Sequence, residues 1–304
     1  MAQSTGPGRR IGIDLGGTKI AGLMLGAGGA ILSRQRCPTP QGDYAATLKA
    51  IAGIVAALER ETGTRGLPVG IGIPGSLSPA TGLVRNANST WLNARPLKHD
   101  LATCLARPVR LANDADCFAL SEAVDGAGKD AGSVFGVILG TGCGGGLVIG
   151  GKLHSGPRAI AGEWGHIPLP WALANEHPGP ACWCGKNGCM EMWVSGPALE
   201  RDHFEASGER LTATEIAASA NSDAAARASL DRHCSRLARG LAAVVNILDP
   251  AIIVLGGGLS NMAHLYAELP GEIAPFIFSD VTGIDLRPPR HGPESGARGA
   301  AWLW

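Results

Sequence analysis

Apolar residues alternate with others along residues 11 to 25, with Ile11, Ile13 and Leu15 before a glycine-rich turn and Leu23 and Leu25 after it. That period predicts two strands joined by a tight hairpin, the turn being Leu15-Gly16-Gly17-Thr18. From 43 to 62 the period changes: Leu48, Ile51, Ile54, Val55 and Leu58 recur at helical spacing, and Val69-Gly-Ile-Gly-Ile then reads as a buried strand ending at Pro74-Gly75. A helix followed by a strand fits a crossover unit. Val109-Arg-Leu-Ala-Asn-Asp repeats a strand running into a polar turn, and Cys117, Leu120 and Val124 mark another helix. Residues 134 to 153 again read strand, glycine turn, strand. Aligning Asp14 with Gly140 places Gly16 on Gly142, so the two units are offset by about 126 residues and suggest a duplicated α/β domain. Each half would present a glycine hairpin, with the cleft between halves as the natural ligand site. Farther on come a helical pattern through Leu237, Leu241, Val244, Val245 and Leu248, an Asp249-Pro250 stop, the strand from Ile252, and Gly256, Gly257 and Gly258.

Composition narrows the chemistry. The 304 residues are 45% apolar and 17% charged, which suits a folded two-domain protein. Glycine is abundant at 45 residues and aromatics are scarce, favouring tight turns and close backbone approaches, as in a phosphate binder. Formal net charge is zero and no stretch is rich in Lys or Arg, so neither a nucleic acid nor an anionic membrane is an expected partner. No secretory h-region and no run of about 18 apolar residues is present, from which a cytoplasmic protein is expected. Of eight cysteines, three fall within eight residues, Cys182, Cys184 and Cys189, a spacing that reads as metal binding rather than as disulfides. Cys37, Cys104, Cys117, Cys143 and Cys234 read as scattered reduced core or loop residues, and His154, His177 and His203 as surface histidines without a role.

A glycine turn between strands exposes backbone N–H groups to which phosphate oxygens can come close. Gly16, Gly17 and Thr18 form the first such turn and Thr141 and Gly142 belong to the second; Asp14 could hold Mg²⁺ through water, and Lys19 could screen residual charge. With Gly256, Gly257 and Gly258 these are the expected contacts of ATP and its magnesium. An ordinary hairpin explains one such turn equally well, but two in a duplicated chain less so. Gly140-Thr-Gly-Cys-Gly-Gly145 formally matches G-x-G-x-x-G, yet a β-branched segment follows instead of the helix that a dinucleotide pyrophosphate needs. Neither turn ends as a Walker A loop.

Asp14-Leu-Gly-Gly-Thr-Lys, Asn113-Asp114, Gly162-Glu-Trp-Gly-His166 and Cys182-Trp-Cys184-Gly-Lys-Asn-Gly-Cys189-Met-Glu191 together resemble the ROK family of bacterial sugar kinases, within the actin-like ATPase superfamily. The resemblance covers nearly the whole chain in order. Asn86-Ala-Asn-Ser-Thr-Trp-Leu-Asn93, Glu163-Trp-Gly-His and the ending Arg298-Gly-Ala-Ala-Trp-Leu-Trp look most similar to the fructokinase or mannofructokinase branch, with the N-acetylglucosamine kinase branch as neighbour.

The resemblance implies two ribonuclease-H-like domains, 1–113 with about 292–304 and 114–291. It implies phosphoryl transfer from ATP to the 6-hydroxyl of a hexose: fructose first, with mannose, glucose and N-acetylglucosamine as alternatives. Asp114 would be the general base; its place at the end of an apolar strand agrees, although an Asp there also fits a helix N-cap. Asp116 stands where the family often has Asn, and suits the first turn of the following helix through the dipole. Asn113, Asp114, Glu163, His166 and Glu191 would line the sugar pocket, with Asn88 a weaker candidate; Ser76, Asn93 and Trp91 read as turn or packing residues. His166 would complete a closed, structural Cys₃His zinc site with Cys182, Cys184 and Cys189. A homodimer is the family's habit. The same family includes sugar-responsive repressors with an N-terminal helix-turn-helix, for which only ten residues precede the first strand here.

Overall fold

The computed structural model describes residues 8–304. In chain order the elements are β1 (Arg10–Leu15), β2 (Lys19–Leu25), β3 (Ile31–Pro38), α1 (Tyr44–Thr62), β4 (Val69–Ile73), β5 (Ser76–Leu77), β6 (Val84–Arg85), α2 (Leu97–Leu105), β7 (Val109–Asn113) and α3 (Asp114–Val124). There follow β8 (Ser133–Leu139), β9 (Cys143–Ile149), β10 (Lys152–Leu153), α4 (Glu191–Val194), α5 (Gly196–Ser207), α6 (Ala213–Ser219), α7 (Ala224–Leu248), β11 (Ile252–Gly256), α8 (Ala263–Ile273), β12 (Leu286–Arg287) and α9 (Ser295–Ala301). The strands expected at both glycine turns form, and β9 follows the second turn where a dinucleotide fold would have a helix.

Two five-stranded sheets have the orders β3-β2-β1-β4-β7 and β10-β9-β8-β11-β12. Position for position these are one arrangement: a hairpin, then a parallel strand on the far side of the hairpin's first strand. This is the duplication expected from the glycine turns, and an α/β fold of the expected class.

The first sheet is built from an alternation of branched and glycine positions. Ile11, Ile13, Val69, Ile71 and Ile73 are fully buried and share a cluster with Ile51, Ile54, Val55 and Leu58 of α1. Helix α1 begins at Asp43, whose carboxylate accepts from the Ala46 amide at 2.9 Å, and ends at Gly63 in the left-handed conformation. The glycines serve the other face. A Cβ on Gly12 would lie 1.9 Å from the Ala297 carbonyl oxygen and one on Gly70 1.7 Å from that of Ala300, so α9 lies directly on the strands' backbone. Gly299 on α9 in turn meets the Cys117 carbonyl of α3, where a Cβ would stand 1.6 Å away.

The chain divides into two compact units: one takes residues up to Asp130, Gly146–Ala161 and His291–Trp304, the other Ala131–Gly145 and Gly162–Arg290. The boundary expected between Asn113 and Asp114 therefore falls later, and β9 is divided. The reason is the close α3–α9 crossing at Gly299, reinforced by Ser295 Oγ donating to Glu122 Oε1 at 2.9 Å, which keeps α3 with the first sheet.

In the second unit, α7 starts at the Asp223 cap and ends at Asp249, in the left-handed conformation before Pro250. It carries Arg236 and Arg239 into the interior, where both pair with buried Glu176 at 2.9 and 2.7 Å. Burial alone would raise the Glu176 pKa, but hydrogen bonds from Arg239, the Leu173 amide and Arg236 outweigh it and hold the carboxyl at about 2. No helix among the described residues is long and apolar enough to cross a membrane.

Candidate active site

Within the first unit, β1 and β7 deliver two carboxylates. Asp14 is the fifth residue of β1 and Asp114 opens α3 directly after β7. Burial, followed by the negative charge of Asp114, raises the Asp14 carboxyl to about 6, against a small opposing effect of Lys19. A half-buried acid raised by desolvation and by a second acid is the electrostatic signature of a place that wants a cation. Thr18 and Lys19 are exposed at the turn, and Gly16 N–H closes it by donating to the Lys19 carbonyl at 3.0 Å. A Cβ on Gly17 would meet nothing nearer than Ser89 Oγ at 3.6 Å, so the turn's outer backbone is open to a close approach.

Asn113, rather than Asp114, is the N-cap of α3: its side-chain oxygen accepts from the Ala115 amide at 2.9 Å, and its amide donates to the Gly75 carbonyl at 3.0 Å. That ties the strand end of β7 to the loop after β4. Asp114 Oδ1 also accepts from the Ala115 amide, at 2.8 Å, which orients its carboxylate. Asp116, in the same first turn, is buried. Asn88 is exposed in a loop whose shape is set by Asn93, which accepts from the Ala87 amide and donates to the Ala87 carbonyl, both at 2.9 Å. Trp91 packs against the first sheet's core, as the plain reading had it.

The second unit holds the remaining candidates. Glu191, first residue of α4, accepts from the Cys143 amide through Oε2 at 3.0 Å and from the Trp183 indole through Oε1 at 2.8 Å. It therefore links the second glycine turn to the cysteine loop. A Cβ on Gly142 would lie 2.6 Å from Glu191 Oε2, so glycine there serves the carboxylate as well as any ligand. Thr141 and Glu163 are exposed. Gly257, with φ of +78°, abuts the Leu139 carbonyl, to which a Cβ would approach within 2.2 Å, whereas Gly258 faces open space.

His166, Cys182, Cys184 and Cys189 converge, their ligand atoms all within 4.8 Å of one another. Cys182 Sγ lies 3.6 Å from His166 Nδ1 and Cys184 Sγ 3.6 Å from Cys189 Sγ. Gly185 and Gly188, both with positive φ, make the turns that bring the thiols round. Three thiols and an imidazole at these distances fit a tetrahedral zinc ion. Trp183, between two of the cysteines, was given no role from sequence; its indole is 64% exposed, donates to Glu191 and stands edge-on to His166 with ring centroids 4.9 Å apart. Its only signal in sequence was its place inside the Cys-Trp-Cys motif.

His203 corrects the sequence reading: it is fully buried, with Nδ1 3.1 Å from Ser229 Oγ, because it faces inward from α5 onto α7. His154 and His177 are exposed as expected.

The ROK family model matches residues 10–304. An N-acetyl-D-glucosamine kinase of Vibrio atlanticus is 40% identical over 96% of this chain and 98% of its own length, and one of Yersinia enterocolitica is 39% identical over the same shares. Among solved structures, a ROK hexokinase from Thermus thermophilus is similar at TM-score 0.85 and 34% identity, covering 96% of each chain. A ROK family glucokinase from Streptomyces griseus, solved with glucose and AMPPNP, is similar at TM-score 0.77 and 28% identity, covering 97% of this chain and 99% of its own. The expected fructokinase branch is not supported: these curated relatives are N-acetyl-D-glucosamine kinases. With its family model matched from Arg10 to the last residue, its two equivalent sheets and its cysteine-histidine cluster, this chain belongs to the ROK family.

Proposed function

We propose that this protein is an ATP-dependent sugar kinase that phosphorylates the 6-hydroxyl of N-acetyl-D-glucosamine. The observation that carries the substrate is the likeness to the N-acetyl-D-glucosamine kinases, at 40% identity across almost the full length of both chains. The residues fit the cofactors on their own chemistry: the half-buried Asp14 beside Asp114 suits a divalent cation, and the open backbone at Gly17 suits a phosphate. Bound MgATP supplies the γ-phosphoryl group.

Asp114 accepts the proton of the sugar hydroxyl as it attacks, and the Ala115 amide on Oδ1 keeps the carboxylate aimed while it does so. Asp14 would help hold the magnesium, with Lys19, Gly16, Gly17, Thr18, Thr141, Gly142, Gly256, Gly257 and Gly258 assigned to the nucleotide. Asn88, Asn113, Glu163, His166 and Glu191 are assigned to the sugar. Hydrogen-bonding groups of this kind reject a wrong sugar by leaving a partner unmatched. Zinc at His166, Cys182, Cys184 and Cys189 would be a closed structural site with no position for a reacting water, and would hold Trp183 and Glu191 in place.

Coupled ADP release with N-acetylglucosamine, glucose, mannose and fructose tests the reading. The expected result is the highest kcat/KM with N-acetylglucosamine; a clear preference for fructose or glucose would overturn the substrate, and no sugar-dependent ADP would overturn the kinase.

A further inference from the structure

A second cluster of metal-ligating groups lies away from the cysteine loop. Ligand atoms of His203 on α5, Glu209 just beyond it and Asp223 at the head of α7 are all within 4.8 Å of one another. Acidic groups alone would say little, but the imidazole adds a definite chemical demand. His203 is fully buried, and its Nε2 has no hydrogen-bond partner.

The protonation of that ring follows from Ser229. Ser229 Oγ donates its one hydrogen to the Ala225 carbonyl at 3.0 Å, so it can only accept from its other neighbours. It accepts from Arg232 Nη2 at 3.1 Å and, with its hydrogen given to Ala225, is placed to accept an N–H from His203 Nδ1, 3.1 Å away. In that tautomer Nε2 carries a lone pair. A buried lone pair without a donor is costly, and an Nδ1–H held by an oxygen acceptor is the arrangement that orients a metal-binding histidine. The ionised carboxylates of Glu209 and Asp223 are acceptors and cannot satisfy an unprotonated Nε2. A cation satisfies all three. Asp223 keeps Oδ1 on the Ala225 amide at 2.8 Å, which leaves its second oxygen for such an ion.

We propose that His203 Nε2, Glu209 and Asp223 form a second metal site, distinct from the cysteine cluster, for a divalent ion of the zinc class completed by water. The ion ties the end of α5 to the start of α7. One nitrogen and two carboxylate oxygens favour zinc, cobalt or nickel over magnesium.

Cobalt titration tests this, using full-length protein loaded with one equivalent of zinc per chain, which the cysteine cluster takes up first, so that the second site is left open. Expected is one further equivalent of cobalt, displacing or adding to zinc, with weak visible bands and no sulfur-to-cobalt charge transfer. The affinity should fall about tenfold or more in Glu209→Gln, whose side chain is at the surface, and in His203→Gln. Cobalt should also raise the unfolding midpoint of the parent but not that of Glu209→Gln. If His203→Gln does not fold, Glu209→Gln alone decides. Equal cobalt affinity in the parent and Glu209→Gln, or no thiolate-free cobalt band in the parent, overturns the site.

Discussion

The two glycine turns occupy the same place in equivalent sheets, yet they obtain their carboxylate in opposite ways. In the first, Asp14 belongs to the strand itself, is half-buried beside Asp114 and is pushed up to about 6. In the second, Gly140 stands where Asp14 would align, and the carboxylate is Glu191, brought from α4 and satisfied by the Cys143 amide and the Trp183 indole. An acid in the first condition is stabilised by an added cation; an acid in the second holds a loop together. Duplication preserved the backbone and divided the electrostatic work.

The sharpest way to break the comparison is to remove charge from the first turn's partner. Asp114→Asn keeps shape and the Ala115 contact but cannot take a proton, and turnover should fall by roughly 10²–10⁴ while the KM for sugar stays within a few-fold. Coupled ADP release checks it, and near-parental turnover would remove Asp114 as the base. Next in size is a third kind of carboxylate, Glu176, held at about 2 by two arginines. Its folded pKa lies below its ordinary 4.5, so its contribution is complete above pH 4.5 and disappears as pH falls toward 2; at neutral pH that amounts to about 3 kcal/mol. Urea unfolding across this window should show stability declining with acid in the parent more steeply than in Glu176→Gln.

Smaller effects separate the turns themselves. Gly142→Ala pushes on Glu191 and should destabilise by about 1–3 kcal/mol, with a raised KM for sugar, whereas Gly17→Ala has room and should fold within about 1 kcal/mol of the parent. Thermal unfolding of the two variants side by side decides this, and equal losses would mean the turns are not differently packed. Last, Asp14→Asn removes a half-buried charge that repels Asp114, so the unfolding midpoint of the ligand-free protein should rise by a few degrees while kcat/KM for ATP falls. A lower midpoint would show that Asp14 is already satisfied.

Much of this was legible in the sequence because it depends on local rules. Period-two runs flanking glycine gave both hairpins, helical spacing gave α1, and three cysteines around two glycines gave the converging thiols. Gly12, Gly70 and Gly299 were visible as glycines, but their purpose was not: the need for a missing Cβ comes from α9 and α3, and α9 starts more than 200 residues beyond Gly12 and Gly70. The same holds for α3, assigned with the second half by sequence order and kept with the first by packing. His203 looked like any surface histidine, because burial depends on which face of α5 meets α7. The sequence by itself determined the strands, the turns and the set of chemically capable side chains, since these follow from residue type and spacing. Tertiary structure alone decided that Asp14 is raised by burial and by Asp114, that Glu191 joins a glycine turn to Trp183, and that His203 is buried close to Glu209 and Asp223. Each of these is a matter of burial and proximity between residues far apart along the chain, and both are properties of the packed fold.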